Sequence, residues 1–134
     1  MKTLSILLLL VTALFFMNMS NNISSDDGPI KVIKQNNKEL KVYDFEGLQS
    51  YFEKSNDTTY VINFWSTWCK PCVKELPHFE ELASEMKGEK FKMILVSLDF
   101  PTVYENKLIA YLKQKGIESE CVVLDDADAN AWIP

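Results

Sequence analysis

Two of the three cysteines, Cys69 and Cys72, stand two residues apart in the run Trp68-Cys69-Lys70-Pro71-Cys72. That gap is short enough for a disulfide to close across the first turn of a helix. The apolar residues Leu76, Phe79, Ala83 and Met86 follow Cys72 along one helical face, so the pair belongs at a helix N-terminus. There, unpaired N–H groups and the positive end of the dipole stabilise a thiolate. Lys70 adds a positive charge in the same direction. Cys69 is therefore the expected attacking thiol and Cys72, one turn in on the buried face, the resolving thiol. Pro71 suits the first turn, where its missing N–H is not needed. The implied chemistry is thiol–disulfide exchange.

Other chemistries fit less well. Cys69, Cys72, Cys121 and the single histidine, His78, make a zinc set by count, but there is no second close ligand pair and Cys121 lies in an apolar run. No metal is expected. Cys121 reads as a buried, inert thiol, and His78 as a surface residue beyond Pro77. Asp126, Asp128 and Asn130 imitate the start of a calcium loop, yet Ala131 replaces the needed glycine. That stretch reads as a capped turn before a short helix. No separate cysteine stands in a T-x-x-C setting, which argues against peroxidase chemistry. All 14 basic residues are lysine and the 134-residue chain carries a formal charge of −5, so nucleic-acid binding is not expected.

The elements that must position the pair are legible around it. Tyr60 to Trp65 is a nearly continuous apolar run, as a buried parallel strand shows, and Phe91 to Leu98 is a second. The helix between them is stopped at Gly88, and the three together make a βαβ unit. Thr102 and Glu105 form a capping-box pattern before a second amphipathic helix carrying Leu108, Tyr111, Leu112 and Lys115. Gly116 ends it, and Cys121 to Leu124 is a third short strand. Upstream, Ile30 to Lys34 and Leu40 to Tyr43 flank Asn36-Asn37 as a hairpin. Phe45, Leu48 and Phe52 suit a short helix capped by Asp44, broken by Ser55 to Thr58.

The N-terminus is of another kind. Lys2 precedes Leu4 to Met17, about 14 mostly apolar residues, where a spanning helix needs about 20. Residues 1–25 read as a secretory signal, or as an uncleaved anchor if the apolar run extends over 4–19. Either places residues 26–134 in an exported, periplasmic or otherwise extracytoplasmic compartment, where disulfides persist. That part holds thirteen lysines against nineteen acids. Its acidity favours solubility without naming a partner. The membrane is engaged only through the N-terminal segment.

The run Asn63-Phe64-Trp65-Ser66-Thr67-Trp68-Cys69-Lys70-Pro71-Cys72 resembles the thioredoxin superfamily's strand and WCxPC site, and Pro77 matches the proline within that family's first helix. The run Cys72-Val73-Lys74-Glu75-Leu76-Pro77 resembles the exported TlpA/ResA-like thiol-disulfide oxidoreductases more closely. The resemblance covers residues 60–134 and, more loosely, begins at 30. It implies an α/β, thioredoxin-like fold whose redox-active group is the Cys69–Cys72 disulfide, with no other cofactor. Implied partners are the thiols and disulfides of exported proteins, apocytochrome c among them, with electrons from a membrane donor. The reaction is usually reduction.

Thioredoxins keep a buried aspartate where this chain has Asn63, which cannot titrate. The TlpA/ResA-like group carries a glutamate where this chain has Glu75, at i+3 from Cys72 and on the same helix flank. Its implied role is to tune proton transfer at Cys72. Trp68, Lys70, Pro71 and Asn63 are the implied site-shaping residues, Trp68 by flanking the disulfide.

In that family the fold continues with a cis-proline loop, an antiparallel hairpin and a final helix. None of Pro71, Pro77, Pro101 or Pro134 precedes a further strand. The chain is thus expected to be truncated before those elements, leaving the strand Tyr60 to Trp65 with an unpaired edge. A redox-inert or inactive binding module on the same fold is the rival reading.

Overall fold

The structure, a computed structural model, describes residues 28–35 and 37–128. The apolar segment 4–19, the signal or anchor reading of 1–25, and the short helix expected after Asp128 all lie outside the described residues.

A hairpin opens the described chain. Strands β1 (Lys31–Gln35) and β2 (Lys38–Tyr43) are antiparallel, with Gln35 opposite Lys38. Between the strands, Asn37 takes the left-handed conformation at φ 62° that tight hairpin turns require. Both strands reach closer to this turn than the apolar pattern suggests. Lys38 and Glu39 join the ladder through their backbones, which polar side chains do not prevent.

Helix α1 (Phe45–Phe52) begins at Asp44, whose Oδ1 accepts the Gly47 N–H at 2.9 Å. Strand β3 (Thr59–Trp65), helix α2 (Lys70–Glu85) and strand β4 (Phe91–Ser97) then form the expected βαβ unit, β3 and β4 being parallel throughout. Gly88 follows α2 at φ 96°, open to a residue without a Cβ.

The expected capping box does not form. Phe100, with ψ 153°, is the extended residue before a 3-10 turn (Pro101–Val103), which leads through a single π-helical stretch (Tyr104–Leu108) into α3 (Ile109–Gln114). Thr102 lies inside the first turn, and a cap must come from the extended residue preceding it. Pro101, with its φ already suited to a first helical position, starts the helix early. Strand β5 (Glu120–Leu124) follows.

The sheet order is β1-β2-β5-β4-β3. β5 enters between the hairpin and the βαβ unit, pairing in parallel with β2 on one side and β4 on the other. Successive residues of β4 serve opposite faces. Met93 and Leu95 join Leu76, Leu108 and Leu112 beneath α2 and α3, whereas Ile94 and Val96 join Leu48 beneath α1. The result is three layers, with one helix on one face and two on the other, as buried parallel strands require. Among the described residues β3 is the last strand of the sheet, with a partner on one side only. This is the α/β, thioredoxin-like architecture expected from the sequence, with β3, the strand that leads into the cysteine pair, at one edge of the described sheet.

Candidate active site

The cysteines sit where β3 gives way to α2, at the carboxyl end of a parallel strand, the end at which α/β sheets build their sites. Cys69 is the N-cap of α2, extended at φ −85°, ψ 94°, and its carbonyl accepts the Val73 N–H at 3.0 Å. Its own N–H donates to Ser66 O at 3.2 Å, closing a turn over residues 66–69. Lys70 and Pro71 occupy the first two helical positions and Cys72 the third. Cys69 and Cys72 are joined as a disulfide with Cα atoms 5.3 Å apart.

The electrostatics of this end suit a thiolate. No side chain caps the helix and its first turn carries no acidic residue, so the backbone N–H groups there and Lys70 are the local positive influences. Cys69 is half-buried. Cys72 is also half-buried and packs against the core beneath α2, next to Val73 and Phe79. Cys72 thus lies within the helix against the core, and Cys69 lies at the helix cap.

The remaining expected residues are distributed as follows. Trp68 is 58% exposed beside Cys69 and stacks on Phe100, itself 63% exposed, with ring centroids 6.3 Å apart. Lys70, Pro71 and Glu75 are exposed. Glu75 lies one turn after Cys72 on α2. Asn63 is half-buried on β3, with Nδ2 buried and lacking a hydrogen-bond partner among the described residues. Pro77 lies within α2, which runs on through it. Trp65 is buried against Tyr111, a packing residue rather than a surface one.

Cys121 and His78 are not brought to the pair. Cys121 lies on β5, where burial pushes its thiol up to about 12. The residue is half-buried and packs against the core beneath α2 and α3. His78 is exposed on α2, 3.9 Å from Glu81. Among the described residues no three His, Cys, Asp or Glu side chains cluster as a metal site, and no helix is long and apolar enough to cross a membrane. Asp126 makes the expected turn, its Oδ1 accepting the Asp128 N–H at 2.8 Å, and its Oδ2 accepts the Phe45 N–H at 3.0 Å.

One feature of the site went unforeseen. Asp99, just beyond β4, is buried against the loop that leads into Cys69. The sequence signal was available: Ser97 and Asp99 are the first polar residues after a run of buried apolar ones, at the carboxyl end of the strand beside β3.

The chain is similar to several known proteins. The "Thiol-disulfide oxidoreductase ResA" of Oceanobacillus iheyensis is 36% identical over 99 residues, 71% of this chain and 50% of that protein. The protein of the same name from Bacillus anthracis is 36% identical over 58 residues, 43% of this chain and 34% of its own. The "Thioredoxin-like protein YneN" of Bacillus subtilis is 31% identical over 61 residues, 46% of this chain and 34% of its own. The chain therefore spans half the length of these relatives or less. The profile of the AhpC/TSA family matches residues 32–131. With the Cys-x-x-Cys pair at the N-terminus of α2 and a parallel sheet behind it, the chain belongs to the AhpC/TSA family, as a ResA-like member of the thioredoxin superfamily.

Proposed function

We propose that this protein is a thiol–disulfide oxidoreductase that reduces disulfides of exported proteins. The observation that carries the reading is the Cys69–Cys72 disulfide placed at the uncapped N-terminus of a 16-residue helix. In the reduced form, the Cys69 thiolate attacks one sulfur of a partner disulfide. An S–S bond forms between Cys69 and the partner, and the partner's other sulfur leaves as a thiolate. The Cys72 thiolate then attacks the Cys69 sulfur, closing the Cys69–Cys72 disulfide and releasing the second partner thiol. Two electrons have passed to the partner, so each turnover needs a dithiol donor to restore the pair. A membrane-bound donor is part of the proposal, and Glu75 is proposed to move the proton at Cys72. Export rests on the Lys2 and Leu4 to Met17 pattern, together with the persistence of disulfides outside the cytoplasm.

The test is trapping. A Cys72→Ser variant incubated with a disulfide-bonded polypeptide such as insulin is expected to hold it as a mixed disulfide through Cys69, while Cys69→Ser holds nothing. Equilibration of the parent with glutathione gives the direction. A potential near the thioredoxin value of about −270 mV supports a reductase, and one near about −120 mV an oxidant. Absence of any trapped complex rejects the exchange reaction itself.

A further inference from the structure

Asp99 is 2% exposed and its carboxylate is fully engaged with the neighbourhood of Cys69. Thr67 donates to it twice, through the backbone N–H to Oδ2 at 3.0 Å and through Oγ1 to Oδ1 at 2.6 Å. Ser97 Oγ donates to Oδ2 at 2.9 Å and itself accepts the Asp99 N–H at 3.1 Å. The next residue, Phe100, stacks on Trp68. The short segment after β4 therefore grips Thr67 by hydrogen bonds and Trp68 by its ring, and these are the two residues immediately before Cys69. On the other side of the turn, Ser66, 2% exposed, accepts the Cys69 N–H.

Two effects of Asp99 on Cys69 oppose each other. As a buried negative charge near the site it disfavours a thiolate. As an acceptor it fixes the turn that sets Cys69 at the helix end. Burying a carboxylate is costly unless its oxygens are hydrogen-bonded, and here both oxygens are. The two bonds from Thr67 run across the chain, from the segment after β4 to the β3–α2 loop, so their removal frees the loop rather than only a local turn. We infer that Asp99 is a positioning residue for thiol–disulfide exchange, holding the Ser66-Thr67-Trp68 turn so that Cys69 meets the free N–H groups at the start of α2. This goes deeper into the proposed function, since it concerns the same thiol. The other groups in reach of the Asp99 charge are Tyr104, from the π-helical stretch, and Cys121, from β5. Lys70 is the nearest cation in sequence to Cys69.

The experiment reads Cys69 alone. The reduced full chain is alkylated with iodoacetamide between pH 6 and 9, and modification of Cys69 is followed by peptide mapping. Alkylation of Cys69 at pH 7 is expected to slow about tenfold in Asp99→Ala and about threefold in Thr67→Val, the sizes set by losing charged hydrogen bonds. The pH at which Cys69 becomes reactive moves upward in both. The double variant is expected to be no slower than Asp99→Ala, because the two residues act through one contact. Asp99→Asn keeps an oxygen acceptor and is expected to retain at least a third of the parent rate.

A purely structural role lowers the melting temperature without moving the pH profile, and that result overturns the inference. So does an unchanged or faster rate in Asp99→Ala, which makes the charge the dominant effect. A rate in Asp99→Asn as slow as in Asp99→Ala overturns the acceptor role. If Asp99→Ala does not fold, an unchanged profile in Thr67→Val overturns it. Failure of the parent to trap or reduce insulin would reject the proposed function while leaving these alkylation comparisons intact.

Discussion

Trp68 lies nearly parallel to Phe100, 16° between planes, although one precedes the first cysteine and the other follows β4 by three residues. The two rings form an exposed aromatic pair at the residue immediately before Cys69. Aromatic pairs contribute about 0.5–1.5 kcal/mol beyond their burial, and both rings are more than half exposed. Phe100→Ala is therefore expected to cost less than about 1 kcal/mol in a denaturant titration, while raising KM for a polypeptide disulfide several-fold. A loss of stability above about 3 kcal/mol would instead make the pair part of the core.

Cys121 is expected to stay unmodified when the reduced, folded protein is treated with a thiol reagent at pH 8, while Cys69 and Cys72 react. Denaturation should expose the third thiol. Burial raises the Cys121 thiol to about 12, against an ordinary value near 9.0. Above the ordinary value the unfolded chain loses this proton and the folded chain keeps it, so stability falls as pH rises from about 9 toward 12, by up to about 1.4 kcal/mol per pH unit for the one group. Burial also raises Tyr51 and Tyr104, which adds to the same trend above pH 10. Cys121→Ala should flatten the first part of the fall, as read by thermal melts at stepped alkaline pH.

Glu75→Gln tests proton transfer at the inner cysteine. The prediction is a slower resolving step, by about tenfold or more, with the attack by Cys69 little changed. Stopped-flow measurement of mixed-disulfide formation and decay across pH 6 to 9 separates the two steps. Equal decay in parent and variant would leave Glu75 a solvated helix residue.

Leu76 is 1% exposed and anchors α2 on the sheet one turn beyond Cys72. Leu76→Ala should destabilise the fold by about 2–5 kcal/mol. Because the helix also holds Cys72, a loosened α2 should make the Cys69–Cys72 disulfide easier to reduce by dithiothreitol, which a thiol titration would register.

Much of this protein could be read along the chain. The step of apolar residues after Cys72 defined α2, the continuous apolar runs defined β3 and β4, and Asp44 was a visible cap. These are local properties: a helix face and a strand run are written in consecutive residues, and so is the two-residue gap that allows Cys69 and Cys72 to bond. The hairpin of β1 and β2, turning at Asn37, is of the same kind. The misreading at Thr102 and Glu105 arose where local patterns competed, because Pro101 and the extended Phe100 set the helix start before the capping pattern could.

Only the tertiary structure decided what lies across from what. That β5 enters between β2 and β4, leaving β3 at the edge of the described sheet, depends on pairings such as Lys41 with Val122, far apart in sequence. That Asp99 reaches back to Thr67, and Phe100 to Trp68, depends on β3 and β4 lying side by side in register, with Trp65 opposite Ser97. The physical reason is that a thiol's chemistry follows from its own residue type and the helix it starts. The groups that hold it in place come from the neighbouring strand, and no periodicity within one segment encodes that adjacency.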